Sequence, residues 1–200
     1  MSTTMVQLII CCNPSNSGST IGRERIQQYV DGIKQFFDTH EKLLLTHNID
    51  VLVTDNTVEN IESLPQSILD ILPNYVKINV CQNNEYGRLN KGAGVIGLWQ
   101  YNQDILDKYE WIIHFEPRQF IKSSYFLEKF LNNRNNLFTI NINCSHFNTG
   151  LFAIRSRIML QYARQSDLNR LVKNNISIED DLYQFINANA IQYDTIDKMD

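Results

Sequence analysis

The chain has 200 residues, 43% of them hydrophobic and 20% charged, and a formal net charge of −4. That balance suits one soluble globular domain with a real core, and its acidity argues against a general nucleic-acid binder. No run approaches the ~20 apolar residues that span a bilayer. Met1 to Thr4 lacks the basic and apolar regions of a signal peptide, so a cytoplasmic protein with no transmembrane segment is expected.

Val6 to Cys12 is a short apolar run ended by Asn13-Pro14-Ser15-Asn16-Ser17-Gly18-Ser19, which predicts a buried strand and then a loop. Ile26, Tyr29, Val30, Ile33, Phe36 and Phe37 follow helical spacing and predict a helix from Ile21 to about His40. Asp50–Thr54 reads as a second strand. A helix near Pro65 ends by Leu72, with proline where a first turn tolerates it. Tyr75–Val80 is a third strand. Gly92–Asp107 reads as a helix, Glu110–Phe115 as a fourth strand, and Ser123–Leu131 as a helix capped by Ser123 or Ser124. Leu137–Ile142 and Gly150–Ile154 are two further strands. Arg157–Arg164 and Ile178–Asn187 are helices, the last with an acidic first turn that suits the helix dipole. Strands alternating with helices predict a single α/β domain, its mostly parallel central sheet flanked by helices and completed by a late antiparallel strand pair. Cys11, Cys12, Cys81 and Cys144 form no Cys-x-x-Cys, and the expectation is free thiols rather than zinc ligands.

Polar residues collect where the strands end, and in parallel α/β sheets ligands bind beyond those carboxyl ends. His114 and Glu116 stand two apart at the end of the fourth strand, so their side chains share a face. They could share a divalent cation or a proton, or form a structural set with Arg118. Asn90-Lys91-Gly92-Ala93-Gly94 opens a helix, where unpaired backbone donors and the Lys91 charge favour a phosphate. Gly92, Gly94 and Gly97 equally suit a helix packed close on the sheet. Glu179-Asp180-Asp181 offers a general base toward a hydroxyl, or simple helix capping. Asn148-Thr149-Gly150 leads into a strand and could line an acceptor site. The hydroxyl-rich loop Asn13–Thr20 is a candidate phosphate cradle, loosely like that of flavodoxin-like proteins. Cys12 before it suggests a phosphatase loop, but no arginine closes it.

Taken in order, these segments resemble a GT-A-type glycosyltransferase domain. The resemblance rests on the strand end Gln82-Asn83-Asn84, the helix opening Asn90-Lys91-Gly92-Ala93-Gly94, and Trp111-Ile112-Ile113-His114-Phe115-Glu116. Thr149-Gly150-Leu151-Phe152-Ala153-Ile154-Arg155 and Ser177-Ile178-Glu179-Asp180-Asp181 follow in the expected order. It implies a nucleotide-binding half over residues 1–118 and an acceptor half over 119–200. It also implies a sugar transferred from a nucleotide-sugar donor to a glycan or other hydroxyl. Asn13, Asp55, Asn83, Lys91, Gly92 and Arg118 would hold the donor, and Asn148, Thr149 and Gly150 the acceptor. Asp180 or Glu179 would act as the base. The family's Asp-x-Asp is replaced here by His114-x-Glu116, which would bind manganese or magnesium; no flavin or NAD is implied. Alternatively Arg118 or Lys91 neutralises the diphosphate without metal. A third reading is a sugar- or nucleotide-binding or assembly protein that has kept the fold and lost the reaction, and a fourth is a flavodoxin-like nucleotide binder. The short acceptor half leaves room for a homo-oligomer or a partner subunit.

Overall fold

The computed structural model describes residues 2–13, 23–140 and 146–197. Among the described residues seven strands form one sheet in the order β3-β2-β1-β4-β6-β5-β7. They are β1 (Thr4–Ile9), β2 (Asp50–Asp55), β3 (Lys77–Val80), β4 (Trp111–Phe115), β5 (Leu137–Ile140), β6 (Phe147–Arg155) and β7 (Asp194–Ile196). β3, β2, β1 and β4 run parallel, β6 is antiparallel to β4 and β5, and β7 returns parallel to β5. The antiparallel β5–β6 pair is the late pair expected from sequence. An antiparallel strand in the middle of the sheet departs from the flavodoxin order and direction, which excludes that alternative for the fold.

Eight α-helices cover the sheet among the described residues: α1 (Arg23–Thr46), α2 (Gln66–Leu69), α3 (Lys91–Tyr101), α4 (Gln103–Leu106), α5 (Tyr125–Asn133), α6 (Ser156–Gln165), α7 (Leu168–Lys173) and α8 (Ile178–Ala188). The largely apolar runs of β1, β2 and β4, in which even Gln7, Thr54 and His114 are buried, follow from burial on both faces. Val6, Leu8, Val51, Val53, Ile113 and Phe115 pack with Ile33 and Phe36 of α1 and Phe130 of α5. Met5, Leu52, Ile112, Phe152 and Ile154 pack on the other face with Ile96 and Trp99 of α3 and with α6 and α8. Among the described residues no helix is long and apolar enough to cross a membrane.

Some elements differ from the sequence reading. The helix expected over Gly92–Asp107 breaks at Asn102, whose side-chain amide donates to Leu98 O (2.8 Å) while its oxygen accepts from Asn79 (2.7 Å). A buried asparagine bonding to the backbone in this way ends one helix and anchors it to β3. The strand expected over Gly150–Ile154 begins at Phe147, and the three-residue β7 is too short to show any periodicity. Of the cysteines, Cys11, Cys12 and Cys81 form no disulfide among the described residues, and Cys144 lies outside them. The candidate cradle over Asn13–Thr20, with its phosphatase alternative, lies outside them from residue 14 onward.

Candidate functional site

The chain crosses from β3, on one side of β1, to β4 on the other, so the sheet has its switch point between β1 and β4. A cleft of about 540 Å³ opens there, within the range of ligand sites. Ile9 to Cys11 form its floor. Arg25 and Tyr29 of α1 wall one side, and the segment from Asn84 to Gly94 walls the other. Glu116, Arg118, Thr149 and residues 175–179 close the far end.

Two helices aim their N-termini into this cleft. Asn90 caps α3, accepting from Ala93 N (3.0 Å). Its amide also donates to Ile176 O (2.9 Å) and Leu171 O (3.3 Å), tying the start of α3 to the segment before α8. Ser177 caps α8, accepting from Asp180 N (3.1 Å). The contact between the two helix starts is close: a Cβ on Gly92 would lie 2.7 Å from Ile178 Cβ and 3.0 Å from Ile178 N. Gly92 therefore packs the two helix starts together, where the sequence reading had a helix packed on the sheet, and it also lines the cleft. Asn56, at the end of β2, donates to Gly94 O (2.9 Å) and holds α3 from the other side.

Charge is uneven along the cleft. Its described lining carries Arg25, Arg88, Lys91 and Arg118 against Glu116 and Glu179. The partial positive charges of two helix N-termini add to that excess. Glu116 is bound by Arg118, whose Nε lies 2.8 Å and whose second guanidinium nitrogen lies 2.7 Å from Oε2. Glu179 accepts from the buried Thr149 hydroxyl at 2.8 Å. Tyr29 is 4% exposed, and burial pushes its phenol up, with Cys11 and Glu116 adding to the effect and Arg25 opposing it. The cleft thus joins a basic lining to two engaged carboxylates at its far end, Glu116 on Arg118 and Glu179 on Thr149.

Of the residues expected from sequence, Lys91, Gly92, Glu116, Arg118, Thr149 and Glu179 meet in the cleft. Others lie elsewhere. Asp55 is fully buried and accepts from Cys12 N (2.7 Å) and Thr57 N (2.6 Å), so it locks the ends of β1 and β2 together. Burial raises its carboxyl above the usual range, and the hydrogen bonds from Thr57 and Cys12 oppose that rise. Asn13 donates its backbone N–H to Thr57 (3.0 Å), and the exposed Asn83 donates its own to Asn56 O (3.1 Å). Neither is among the described lining, and the buried Asn84 occupies the wall instead. Asn148 accepts from Gly150 N (2.9 Å), and Gly150 lies against the Gln119 side chain. Asp180 is outside the cleft lining, with Ser177 Oγ at 2.8 Å and His146 Nδ1 at 3.1 Å. Asp181 is buried, bonded to Tyr162 (2.9 Å) and paired with Arg170.

His114 requires a correction. Its side chain lies in the core at 1% exposure, stacked on Phe152 (centroids 4.7 Å apart) and edge-on to Trp99 (5.5 Å). Among the described residues neither ring nitrogen has a partner, and burial alone lowers its pKa to about 3. Sharing a strand face with Glu116 did not place the two groups at the same depth. A divalent cation does not fit these residues: the imidazole sits among aromatic rings, the carboxylate is engaged by a guanidinium, and among the described residues no three His, Cys, Asp or Glu side chains form a metal-holding group.

Arg25, Tyr29 and Arg88 line the cleft without having been singled out from sequence, and Asn90 and Ser177, which stood there only as parts of longer motifs, cap its two helices. One signal was available: the first turns of a helix that follows a parallel strand sit over that strand's carboxyl end, which places Arg25 and Tyr29 there.

Neither a protein-family model nor a curated protein sequence matches the chain. Solved structures do match. The proposed nucleotide-diphospho-sugar transferase of Desulfovibrio desulfuricans G20 aligns with TM-score 0.61 at 12% identity, over 98% of this chain and 80% of that one. A cytidylyltransferase from Leptospira borgpetersenii serovar Hardjo-bovis aligns with TM-score 0.55 at 13% identity, over 99% and 77%. The mannosyltransferase Ktr4p of S. cerevisiae, in complex with GDP, aligns with TM-score 0.52 at 10% identity, over 96% and 69%. At such identities the likeness concerns the fold alone. The chain has a single-domain, GT-A-like α/β fold, shared with nucleotide-sugar transferases.

Proposed function

We propose that the cleft binds a nucleotide-sugar donor and that the protein transfers its sugar to a hydroxyl acceptor such as a glycan. One observation carries this reading: a single cleft at the sheet's switch point joins basic groups and a helix N-terminus to a carboxylate held in place by a buried hydroxyl. Lys91, Arg88 and the first amides of α3 face the charge that develops on a departing nucleoside diphosphate, the chief electrostatic demand of the reaction. Gly92 lines the same wall, its missing side chain leaving room for Ile178 at the start of α8. Asn13 and Asn83 flank the nucleoside end, and Asp55 shapes it through the backbone it holds. Thr149, which lines the cleft, marks the acceptor side, with Asn148 and Gly150 flanking it on β6. Glu179, rather than Asp180, is the base that takes the acceptor proton, because it lines the cleft while Asp180 faces His146.

Thermal unfolding with UDP-, GDP-, CDP- and dTDP-sugars tests the binding step. The donor with the matching base should stabilise the protein by about 2.7 kcal/mol at a hundredfold excess over Kd, and Lys91→Ala should remove most of that gain. Glu179→Gln should leave the stabilisation intact and slow transfer or donor hydrolysis by roughly 10²–10⁴-fold. If no nucleotide sugar moves the midpoint, the donor reading is wrong. A protein that binds sugar or nucleotide without turnover, on the same fold, is favoured by the buried His114 and would show Glu179→Gln equal to wild type in every assay.

A further inference from the structure

The Glu116–Arg118 pair stands at the end of β4, where a metal-holding carboxylate was expected. Resting on the donor reading above, we propose that the Arg118 guanidinium is the cleft's built-in cation, so that the donor diphosphate binds without a divalent metal. The backbone around the pair is fixed at three points. Glu116 N donates to Gly150 O (2.8 Å), which extends the β4–β6 ladder one residue past the strand. Gln119 N donates to Glu116 O (2.9 Å), closing a turn with Pro117 at its second position, where the proline ring pre-sets the backbone. The Pro117 carbonyl rests on α1 at Gly32, where a Cβ would stand only 1.5 Å from its oxygen. This turn folds Arg118 back onto the carboxylate two residues before it.

The pairing leaves donors for a ligand. A guanidinium has five N–H donors, and its contacts with Glu116 both converge on one oxygen, Oε2. Among the described residues the remaining donors of Arg118 have no protein partner, and Arg118 lines the cleft with Lys91 and Arg25. The Arg118 side chain is 38% exposed and that of Glu116 18%. Such a pair is weak, so the guanidinium can turn toward phosphate oxygens, which suit its planar geometry. A divalent cation at Glu116 would have to displace a group of like charge already bound there, and His114 lies in the core and offers no second ligand. The cleft is therefore arranged for a diphosphate clamped by Arg118, Lys91 and the amides of α3.

Calorimetric titration of UDP, GDP, CDP and dTDP, each in EDTA and in manganese, tests the clamp without recourse to turnover. Wild type should bind its preferred diphosphate with affinities within about threefold in the two buffers. Arg118→Ala removes a half-exposed side chain and should fold normally, yet bind roughly 10–100-fold more weakly in EDTA, the loss of a charge-assisted contact. With Glu116 then released, manganese should recover part of that affinity, and adding Glu116→Gln should abolish the recovery. Binding by wild type only in manganese would overturn the clamp while leaving the donor reading in place. Arg118→Ala binding as tightly as wild type in EDTA would also overturn it. No binding of any diphosphate by wild type in either buffer would overturn both.

Discussion

His114→Phe is expected to stabilise the protein by about 1 kcal/mol at neutral pH, and by several more in acid. The histidine ring is buried between Phe152 and Trp99 with both nitrogens unpartnered, an arrangement that costs the desolvation of a polar group with nothing to offset it. Phenylalanine keeps the stacking on Phe152 and removes the two nitrogens. The opposing effect is the slightly larger ring, and overpacking of a dense core can cost about 1–3 kcal/mol; we expect the removal of two unmet nitrogens to exceed it narrowly at pH 7. The pH dependence is sharper. Folded His114 stays neutral down to about pH 3, whereas an unfolded histidine takes up its proton near pH 6.5. Between those values the unfolded chain binds more protons, so the stability contributed by the neutral ring is lost as pH falls from about 6.5 toward 3, by at most ~1.4 kcal/mol per unit. Phenylalanine removes that dependence, and its advantage should widen through the window. Urea unfolding at pH 7, 5.5 and 4 measures it. A constant difference between variant and wild type would mean that the ring titrates normally. A variant much less stable at pH 7 would mean that the nitrogens hold a partner.

Gly32→Ala is expected to destabilise the protein by about 2 kcal/mol or more, against the ordinary preference of a helix. In mid-helix, alanine is favoured over glycine by about 1 kcal/mol, and Gly32 lies inside the 24-residue α1. The surroundings reverse that sign. A Cβ there would stand 1.5 Å from Pro117 O and 2.7 Å from Pro117 C, and backbone atoms of a closed turn cannot swing aside as a flexible side chain can. Either α1 moves off the sheet, losing contacts of Ile33 and Phe36, or the turn carrying Glu116 and Arg118 moves. For a domain of this size the midpoint should fall by roughly 5 °C or more. The second route also weakens nucleoside diphosphate binding in the fraction that remains folded, which calorimetry below the midpoint would detect. An alanine variant as stable as wild type would show that α1 and the turn are not in contact.

The fold was legible where its causes are local. The largely apolar runs of β1, β2 and β4 announced buried strands in a sheet flanked by helices. The glycine-spaced opening Asn90–Gly94 marked the start of α3, and the acidic first turn at Glu179–Asp181 that of α8, while the Asn90 and Ser177 caps themselves went unread. The site was half legible for the same reason: Lys91, Gly92 and Glu179 sit in the first turns of capped helices, whose place at the strand ends follows from βαβ geometry. The rest depends on partners distant in sequence. Asp55 ends a strand and looked like a ligand-binding carboxylate; only Cys12 N, 43 residues earlier, shows it to be a fastening within the protein. Strand alternation gave the shared face of His114 and Glu116 but not their depth, which is set by Trp99 and Phe152 packing over one of them.

The place of β6 between β4 and β5 bears on how the chain is made. β4 receives its second neighbour only from Phe147–Arg155, more than thirty residues further along. Until that segment emerges, the buried strand Trp111–Phe115 presents an unpaired row of amides and carbonyls, a template on which other chains can pair. The first 118 residues are therefore not a folding unit, whatever share of the ligand they contact. Truncation at that boundary, or a long pause in synthesis there, leaves a sticky open sheet instead of a folded half.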